Sequence, residues 1–261
     1  MIFSDQWFTL LTFIFARVAG LSLTAPIYGT NDVPFRVRVL LAAALTLLIA
    51  PLQGQLSAHF AGPLEYLALL SCEAALGACL GLGILVLIHG MTLAGGLVGQ
   101  ASGLGIAEVF DPALEENVPL FSRLLFLLAT CVFLCIGGHR LVMAGLLDTF
   151  QTIPAGSGHL PASLAHAFTT LVSLSFSLGV RAAAPVVTSL LLATLILGMI
   201  GRTLPQVNIL AVGLGLNSLL AFAALALSVA VAAWAFADQV QPAMETLFDA
   251  IKTPLQTRWL Q

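Results

Sequence analysis

Long uncharged apolar runs, separated by short polar segments, set the pattern of this chain. A membrane-spanning helix needs about 20 predominantly apolar residues, and several of the runs approach that length. We predict α-helices over the runs 7–25, 39–52, 64–107, 124–153, 164–180, 182–200 and 209–237. The run 64–107 is long enough for two helices that part near His89, and 124–153 is divided at Gly137. The pattern therefore predicts an all-α, multi-helix protein.

Composition places these helices in a membrane. Apolar residues make up 59% of the 261 residues and charged residues only 8%, and the mean hydropathy is +1.05. A soluble domain normally carries about 25% charged residues, so the chain cannot cover a surface of its size with charge. The class predicted is an α-helical integral membrane protein. The net charge of −3 gives no indication of nucleic-acid binding.

Several apolar runs contain a charged residue at or near their middle. These residues are Arg17, Glu73, Arg140 and Arg181. An ionisable group at the centre of a bilayer costs at least roughly 2.5–3.5 kcal/mol, so such groups usually face protein or water. The run 39–52 is also short for a membrane span. We therefore expect helices that bury their apolar faces against protein as much as against lipid.

An acidic segment interrupts the apolar pattern near the centre of the chain. Four of the twelve acidic residues fall within nine positions: Glu108, Asp111, Glu115 and Glu116. The preceding residues 74–107 carry no charge, and prolines at 112 and 119 favour a loop. This segment must reach water, a cavity or another protein, because it cannot lie in lipid.

Glycine spacing suggests close helix packing. Gly95, Gly99 and Gly103 repeat every four residues and share one helix face, where small residues let two backbones approach. Packing within the chain and packing against a partner subunit are both open. Glycine pairs near 198–201 and 213–215 predict broken helices, which are typical of transporters.

Signatures of catalysis are absent from the sequence. There is no P-loop, no G-x-S-x-G and no H-E-x-x-H motif. The five histidines show no ligand spacing, and the four cysteines lie in apolar runs, where free cysteine behaves as a small hydrophobe. We expect no enzymatic activity, no metal and no cofactor.

A series of short motifs in chain order resembles one known family. They are Arg17, Ala25–Pro26, Val33–Pro34 with Arg36 and Arg38, Ala94–Gly95 through Gly103, Phe110–Asp111–Pro112 with Asn117 and Pro119, Gly138–His139, Asp148, Phe150, Pro154, Pro205–Gln206 and Gly213. With these motifs the chain resembles the FliR family of flagellar export-gate proteins over nearly its whole length. It departs from the family at Gly213–Leu214–Gly215–Leu216, where the family often has Gly-aromatic-Pro-Leu, so we expect a more flexible bend there.

The resemblance implies a three-part organisation. Residues 1–181 would be a FliP-like helical part, 182–237 a FliQ-like helical hairpin, and 238–261 a polar tail that looks like a surface helix. The resemblance also implies a type III export gate in the bacterial inner membrane, at the flagellar basal body. FliP, FliQ and FlhB homologues would be its partners, together with membrane lipid and the exported flagellar proteins.

The resemblance further assigns roles to residues. The loop 106–119 would plug the channel, with Ile106, Val109 and Phe110 as the seal, Asp111 and Pro112 setting the turn, and Pro119 ending the loop. Residues implied in subunit packing are Gly95, Gly99, Gly103, Pro205 and Gln206. Three alternatives stay open: the equivalent subunit of a virulence-type injectisome, a small-solute secondary transporter, and a loop that is merely acidic surface.

Overall fold

The structure, a computed structural model, describes residues 5–26, 34–53, 62–104, 119–158, 160–203 and 209–252. These ranges form seven α-helices and one short 3₁₀ helix, with no strand among them. The α-helices are α1 Asp5–Thr24, α2 Phe35–Ile49, α3 Pro63–Ser102, α4 Leu120–Cys135, α5 Gly138–Thr152, α6 Ser163–Thr203 and α7 Ile209–Lys252, and the 3₁₀ helix is Ala50–Leu52. The all-α prediction is confirmed.

The predicted break in the run 64–107 is wrong, because α3 is one continuous helix of 40 residues. The glycine at the expected break, Gly90, packs closely instead. A Cβ added there would lie 2.5 Å from the backbone oxygen of Ser175 on α6. An unsatisfied backbone group in an apolar environment costs several kcal/mol, whereas a glycine inside a helix costs only about 1 kcal/mol. The helix therefore continues through the glycine.

The same reasoning corrects the later predictions. The runs 164–180 and 182–200 form the single helix α6, and the glycine pairs near 198–201 and 213–215 lie inside α6 and α7. By contrast, the predicted division at Gly137 is confirmed. Gly137 has φ +76°, a left-handed conformation that favours glycine, and it separates α4 from α5.

Five of the described helices are long and apolar enough to cross a membrane, or six spans if the bent α4–α5 pair counts as one. The three longest, α3, α6 and α7, contain 40, 41 and 44 residues. At 1.5 Å per residue each is about 60 Å long or more, roughly twice the 30 Å thickness of bilayer hydrocarbon. Only about half of each long helix can therefore lie in the hydrocarbon at once.

The chain divides into two compact units. Unit 1 comprises Met1–Val86, Gly137–Val172 and Gln241–Gln261, and unit 2 comprises Leu87–Ile136 and Ser173–Val240. The helices α3, α6 and α7 each contribute residues to both units. The three-part organisation implied by the resemblance, with boundaries at 181 and 237, stays a prediction.

The core of unit 1 is apolar and draws on each of its segments. Phe13, Val18, Leu76, Leu146 and Leu247 are among its buried side chains. The end of α7, in the stretch predicted as a polar tail, also contributes to this core. Its residues Ala243, Met244 and Ile251 are buried, so this part of α7 is amphipathic.

Candidate functional site

The predicted plug loop falls almost wholly outside the described residues. Ile106, Val109, Phe110, Asp111 and Pro112 all lie in the undescribed range 105–118. Its last member, Pro119, is described. It precedes α4 with φ −54° and ψ 138°, and so directs the chain into the helix. A fixed φ near −65° is the constraint that proline imposes. The plug assignment stays a prediction.

The predicted packing face on α3 begins with a contact inside the chain. Gly95 is buried, and a Cβ there would overlap the backbone of Phe121 and Ser122 at the start of α4. Gly99 has more space, since its added Cβ would lie 3.7 Å from the Cβ of Pro119, an ordinary van der Waals distance. The two glycines therefore differ: Gly95 is required by its own chain, whereas alanine fits at position 99.

The remaining predicted packing residues lie at helix ends or outside the described chain. Gly103 follows the last residue of α3 and has φ +78°, the left-handed conformation with which helices commonly end. Pro205 and Gln206 lie in the undescribed range 204–208. Whether any of these residues contacts a partner subunit stays a prediction.

A buried ion pair in unit 1 is the most developed polar site of the described chain. Arg17 on α1 faces Glu73 on α3, and both Nε and Nη2 of the arginine lie 2.7 Å from Oε2 of the glutamate. The two side chains are 0% and 1% exposed. Buried charges of this kind are expensive unless they are paired and hydrogen-bonded, so the remaining polar atoms of both groups need partners.

The region at the end of α5 supplies those partners. Arginine Nη1 donates to Oγ1 of Thr149 at 3.1 Å, and Nη2 donates to the backbone oxygen of Ile153 at 3.0 Å. The guanidinium also lies 4.2 Å from the ring centroid of Phe150, a cation–π distance. The other carboxylate oxygen accepts a 2.8 Å hydrogen bond from the backbone N–H of Gly156. The pair thus joins α1, α3, α5 and the turn after α5.

Glycines bring α1 and α3 close enough for the pair to form. A Cβ at Gly20 would overlap the backbone oxygen of Ala74, and a Cβ at Gly77 would overlap the backbone oxygen of Arg17. Gly77 lies one helical turn after Glu73, so it shares the face of α3 that carries the carboxylate. Close approach of two backbones through small residues is the usual packing mode of membrane helices.

The chemistry available at this site is structural. The carboxylate and guanidinium are bonded to each other and to backbone groups, and both are enclosed. The described residues contain no cluster of three or more His, Cys, Asp or Glu that could hold a metal. We therefore assign the ion pair to the packing of unit 1.

The sequence identified Arg17 and Glu73 as internal charges but did not pair them. Their separation of 56 positions leaves no local periodicity to read. Thr149 and Gly156, which complete the site, carried no signal at all. One feature of the sequence could have indicated the pair. Charged residues in apolar runs are rare and usually pair with one another, so a single arginine in one run and a single glutamate in another could have been expected to meet.

Together the fold and this site define an all-α integral membrane protein whose deepest charges serve packing. Comparison with known proteins narrows the class. Residues 8–243 match the profile of the family described as bacterial export proteins, family 1. The chain is 34% identical to the flagellar biosynthetic protein FliR of Escherichia coli K12, over 82% of this chain and 83% of the relative. The FliR proteins of Aquifex aeolicus VF5 and Bacillus subtilis 168 are each 29% identical, over 82% and 80% of this chain and 83% and 82% of their own lengths. The chain therefore belongs to the family of bacterial export proteins that includes FliR.

Proposed function

We propose that this chain is a non-enzymatic subunit of the flagellar type III export gate. In this proposal it forms a channel with FliP and FliQ homologues in the bacterial inner membrane, next to an FlhB homologue, and unfolded flagellar proteins pass through. The observation that carries the proposal is the family match over residues 8–243, joined to relatives named for flagellar biosynthesis.

The surface of the described chain supports a role in an assembly. Large apolar side chains are exposed along several helices, among them Leu40 on α2, Leu127 on α4, and Leu219 and Leu227 on α7. Contiguous exposed apolar surface marks contact with lipid or with other proteins. A subunit of an export gate contacts both lipid and other proteins.

The internal charges favour this proposal over a secondary transporter. A transporter needs an ionisable site near the membrane midplane that a solute or ion can reach. The buried pair of Arg17 and Glu73 is enclosed, and its oxygens and nitrogens are occupied by groups of unit 1. Purified alone, the chain should neither bind nor move a small solute. Solute uptake by the isolated chain in vesicles would overturn the export-gate proposal.

Co-purification with FliP-like and FliQ-like proteins is the central experiment. A tagged chain should retain both from detergent-solubilised membranes of the native bacterium. If it carries neither partner under conditions that preserve its own fold, the proposal fails. Genes for flagellar proteins next to this one would separate the flagellar assignment from the injectisome alternative.

The difference between Gly95 and Gly99 sharpens this experiment. Alanine at position 99 fits within the chain, so loss of partners from Gly99→Ala would report a subunit contact, whereas the leucine of Gly99→Leu would also press on Pro119 and Phe121 of this chain. Gly95→Ala overlaps α4 and should instead lower the stability of the chain itself. Retention of both partners by Gly99→Leu would remove this face of α3 from the interface.

The plug proposal has its own test. Deletion of residues 109–115 should leave assembly intact and make the membrane leaky to small solutes, because the apolar seal around Phe110 is lost. If the complex assembles normally and the membrane stays impermeable to small solutes, the plug proposal is wrong, and the segment is an acidic surface loop.

A further inference from the structure

The end of α7 belongs to unit 1, although most of the helix does not. Residues 241–252 are part of unit 1, whereas the preceding residues 209–240 of α7 are part of unit 2. The other segments of unit 1 come earlier in the chain, and residues 173–240 of unit 2 lie between. Unit 1 therefore completes its core with a segment that is remote in sequence. We call residues 241–252 the strap.

One face of the strap is apolar and buried. Its side chains recur at the spacing of a single helix face, and they are Ala243, Met244, Leu247, Ala250 and Ile251. Two glycines of unit 1 make room for this segment. A Cβ added at Gly83 on α3 would lie 2.9 Å from Cδ2 of Leu247, and a Cβ added at Gly145 on α5 would overlap the ring of Phe248. The strap is therefore held in unit 1 mainly by apolar contacts.

The other face of the strap is polar and exposed. Gln241, Glu245, Asp249 and Lys252 lie on it, and Gln241 donates from Nε2 to Oε1 of Glu245 at 3.2 Å. Polar and charged side chains are mostly found in contact with water. The outer face therefore keeps the same surroundings whether the strap is packed or released, and only the inner contacts oppose its release.

The buried ion pair of unit 1 lies outside the strap. Its two charged groups and their hydrogen-bond partners all lie in α1, α3, α5 and the turn after α5. The strap is bonded elsewhere: Oγ of Ser163 donates to the backbone oxygen of Ala250 at 2.5 Å, and Nζ of Lys252 lies 3.4 Å from Oδ2 of Asp148. An exposed pair such as the second contributes little. The strap can therefore leave unit 1 without breaking the ion pair.

A proline lies at the start of the strap. Pro242 is inside α7, where it has no N–H to donate to the helix and its ring crowds the preceding turn. Oγ1 of Thr246 donates to the backbone oxygen of Pro242 at 2.8 Å, and a bond of this kind to the carbonyl four residues earlier often bends a helix. The helix α7 is therefore weakened at the point where it enters unit 1.

We propose that the strap opens and closes about Pro242 as one piece, while the rest of unit 1, with its ion pair, stays packed. Proteins open locally in cooperative segments, and segments with few buried contacts open most easily. Contacts between segments that are remote in sequence also form late, because closing the intervening chain costs entropy. The proposal concerns unit 1 alone and does not depend on the channel proposal.

Thiol labelling of the full chain in detergent tests the proposal. The four native cysteines are replaced by alanine, and a single cysteine is introduced by Met244→Cys in the strap or by Val18→Cys on α1. Both native side chains are buried, so either thiol reacts with N-ethylmaleimide only after an opening. Met244→Cys should react about tenfold faster than Val18→Cys, or faster still, because release of the strap costs less than unfolding of unit 1. Denaturant at low concentration should accelerate the reaction at 18 more than at 244, since a local opening exposes less surface.

The hinge is tested by Pro242→Ala in the Met244→Cys chain. Alanine restores the missing N–H, so labelling at 244 should slow by about tenfold or more. Pro185→Ala, the same change inside α6 in unit 2, is the matched control and should leave the rate unchanged. Equal rates at 244 and 18 with the same denaturant dependence would overturn the proposal, because the strap would then open only with the whole of unit 1. An unchanged rate in Pro242→Ala would overturn the role of the proline as the hinge.

Hydrogen exchange of the chain with its native cysteines is a second measurement, valid if the cysteine variants fold poorly. Backbone amides of residues 244–251 should exchange faster than those of residues 10–18 on α1. Gly145→Ala, which presses on the ring of Phe248, should accelerate exchange in the strap and leave α1 unchanged. Exchange in the strap as slow as in α1, or acceleration of both segments together by Gly145→Ala, would contradict a strap that opens separately.

Discussion

Unit 1 and the α6–α7 hairpin of unit 2 (the part of α6 and α7 within residues 173–240) differ in where they place their charged residues. The described part of unit 1 carries eleven charged residues, and it buries one pair, Arg17 and Glu73, at its centre. The described part of unit 2 carries only four, which are Arg123, Arg181, Arg202 and Asp238. In the hairpin the charges stand at the ends of long apolar segments.

Several glycines show the same contrast, although Gly179 on α6, whose added Cβ would lie 2.6 Å from the backbone oxygen of Gly90, is as closely packed as those of unit 1. In unit 1, Gly20, Gly77 and Gly145 have no space for even a Cβ, because neighbouring groups contact them directly. In the hairpin, no described atom lies within 4 Å of a Cβ added at Gly198 or Gly215. Unit 1 is therefore specified by its own internal contacts, whereas the hairpin exposes surface that lipid or partner subunits must cover.

The largest expected effect is on the ion pair of unit 1. Arg17→Ala leaves the carboxylate of Glu73 buried without its counter-charge, and breaking a buried pair in this way costs about 3–5 kcal/mol. Thermal unfolding of the purified chain in detergent measures the loss. Arg140→Ala, at an exposed arginine of the same unit, should change stability by no more than about 0.5 kcal/mol.

Removal of both charges separates charge from packing. Arg17→Met with Glu73→Leu should recover part of the stability lost by Arg17→Ala, because no buried charge is then left unpaired. Recovery should stay incomplete, since the backbone N–H of Gly156 loses its acceptor. A double variant no more stable than the single one would contradict this account of the pair.

The second effect concerns the contact between α1 and α3. Gly77→Ala places a methyl group against the backbone of Arg17, and overpacking of this kind costs about 1–3 kcal/mol. The same unfolding measurement applies. Gly62→Ala, where an added Cβ meets no described atom within 4 Å, is the control and should be nearly neutral. Equal destabilisation by both changes would show that the close approach of α1 and α3 does not account for the loss of stability.

The third effect has the opposite sign and lies in the hairpin. Gly198→Ala and Gly215→Ala fill open space inside helices, so each should stabilise the isolated chain by up to about 1 kcal/mol through helix propensity. If an alanine variant is as stable as expected alone but loses its partners on purification, the glycine contacts a partner subunit. Destabilisation of the isolated chain would contradict the contrast between the two regions.

The smallest effect is expected at the exposed ion pair of unit 1. Lys252 Nζ lies 3.4 Å from Asp148 Oδ2, and the two side chains are 51% and 48% exposed. Exposed pairs contribute about 0–1 kcal/mol and are screened by salt. Lys252→Ala should therefore lower the unfolding temperature slightly at low ionic strength and not at all at high ionic strength. A loss as large as that of Arg17→Ala would mean that burial does not govern these pairs.

The class of the protein followed from composition because it depends on totals. A chain with 59% apolar and 8% charged residues must place most of its helices against lipid or protein, whatever their arrangement. The break at Gly137 was also predictable, since two consecutive glycines ahead of His139 interrupt an apolar run. The family motifs were readable because they recur in order along the chain.

Single glycines were misread for a physical reason. In a soluble protein a helix could end at Gly90 or Gly198, because water would bond to the freed backbone groups. In an apolar environment the backbone N–H and C=O groups of a broken helix have no hydrogen-bond partners. Local sequence alone cannot distinguish a glycine that bends a helix from one that admits a neighbouring backbone. The distinction depends on what faces the residue, such as Ser175 opposite Gly90.

By itself, then, the sequence determined the class, the helical content and the presence of charges that could not stay alone in an apolar interior. Only the tertiary structure decided that Arg17 meets Glu73, and that Thr149, Ile153 and Gly156 complete their hydrogen bonds. The reason is that burial and pairing join residues far apart in the chain, whereas propensity and hydropathy act over a few neighbouring positions.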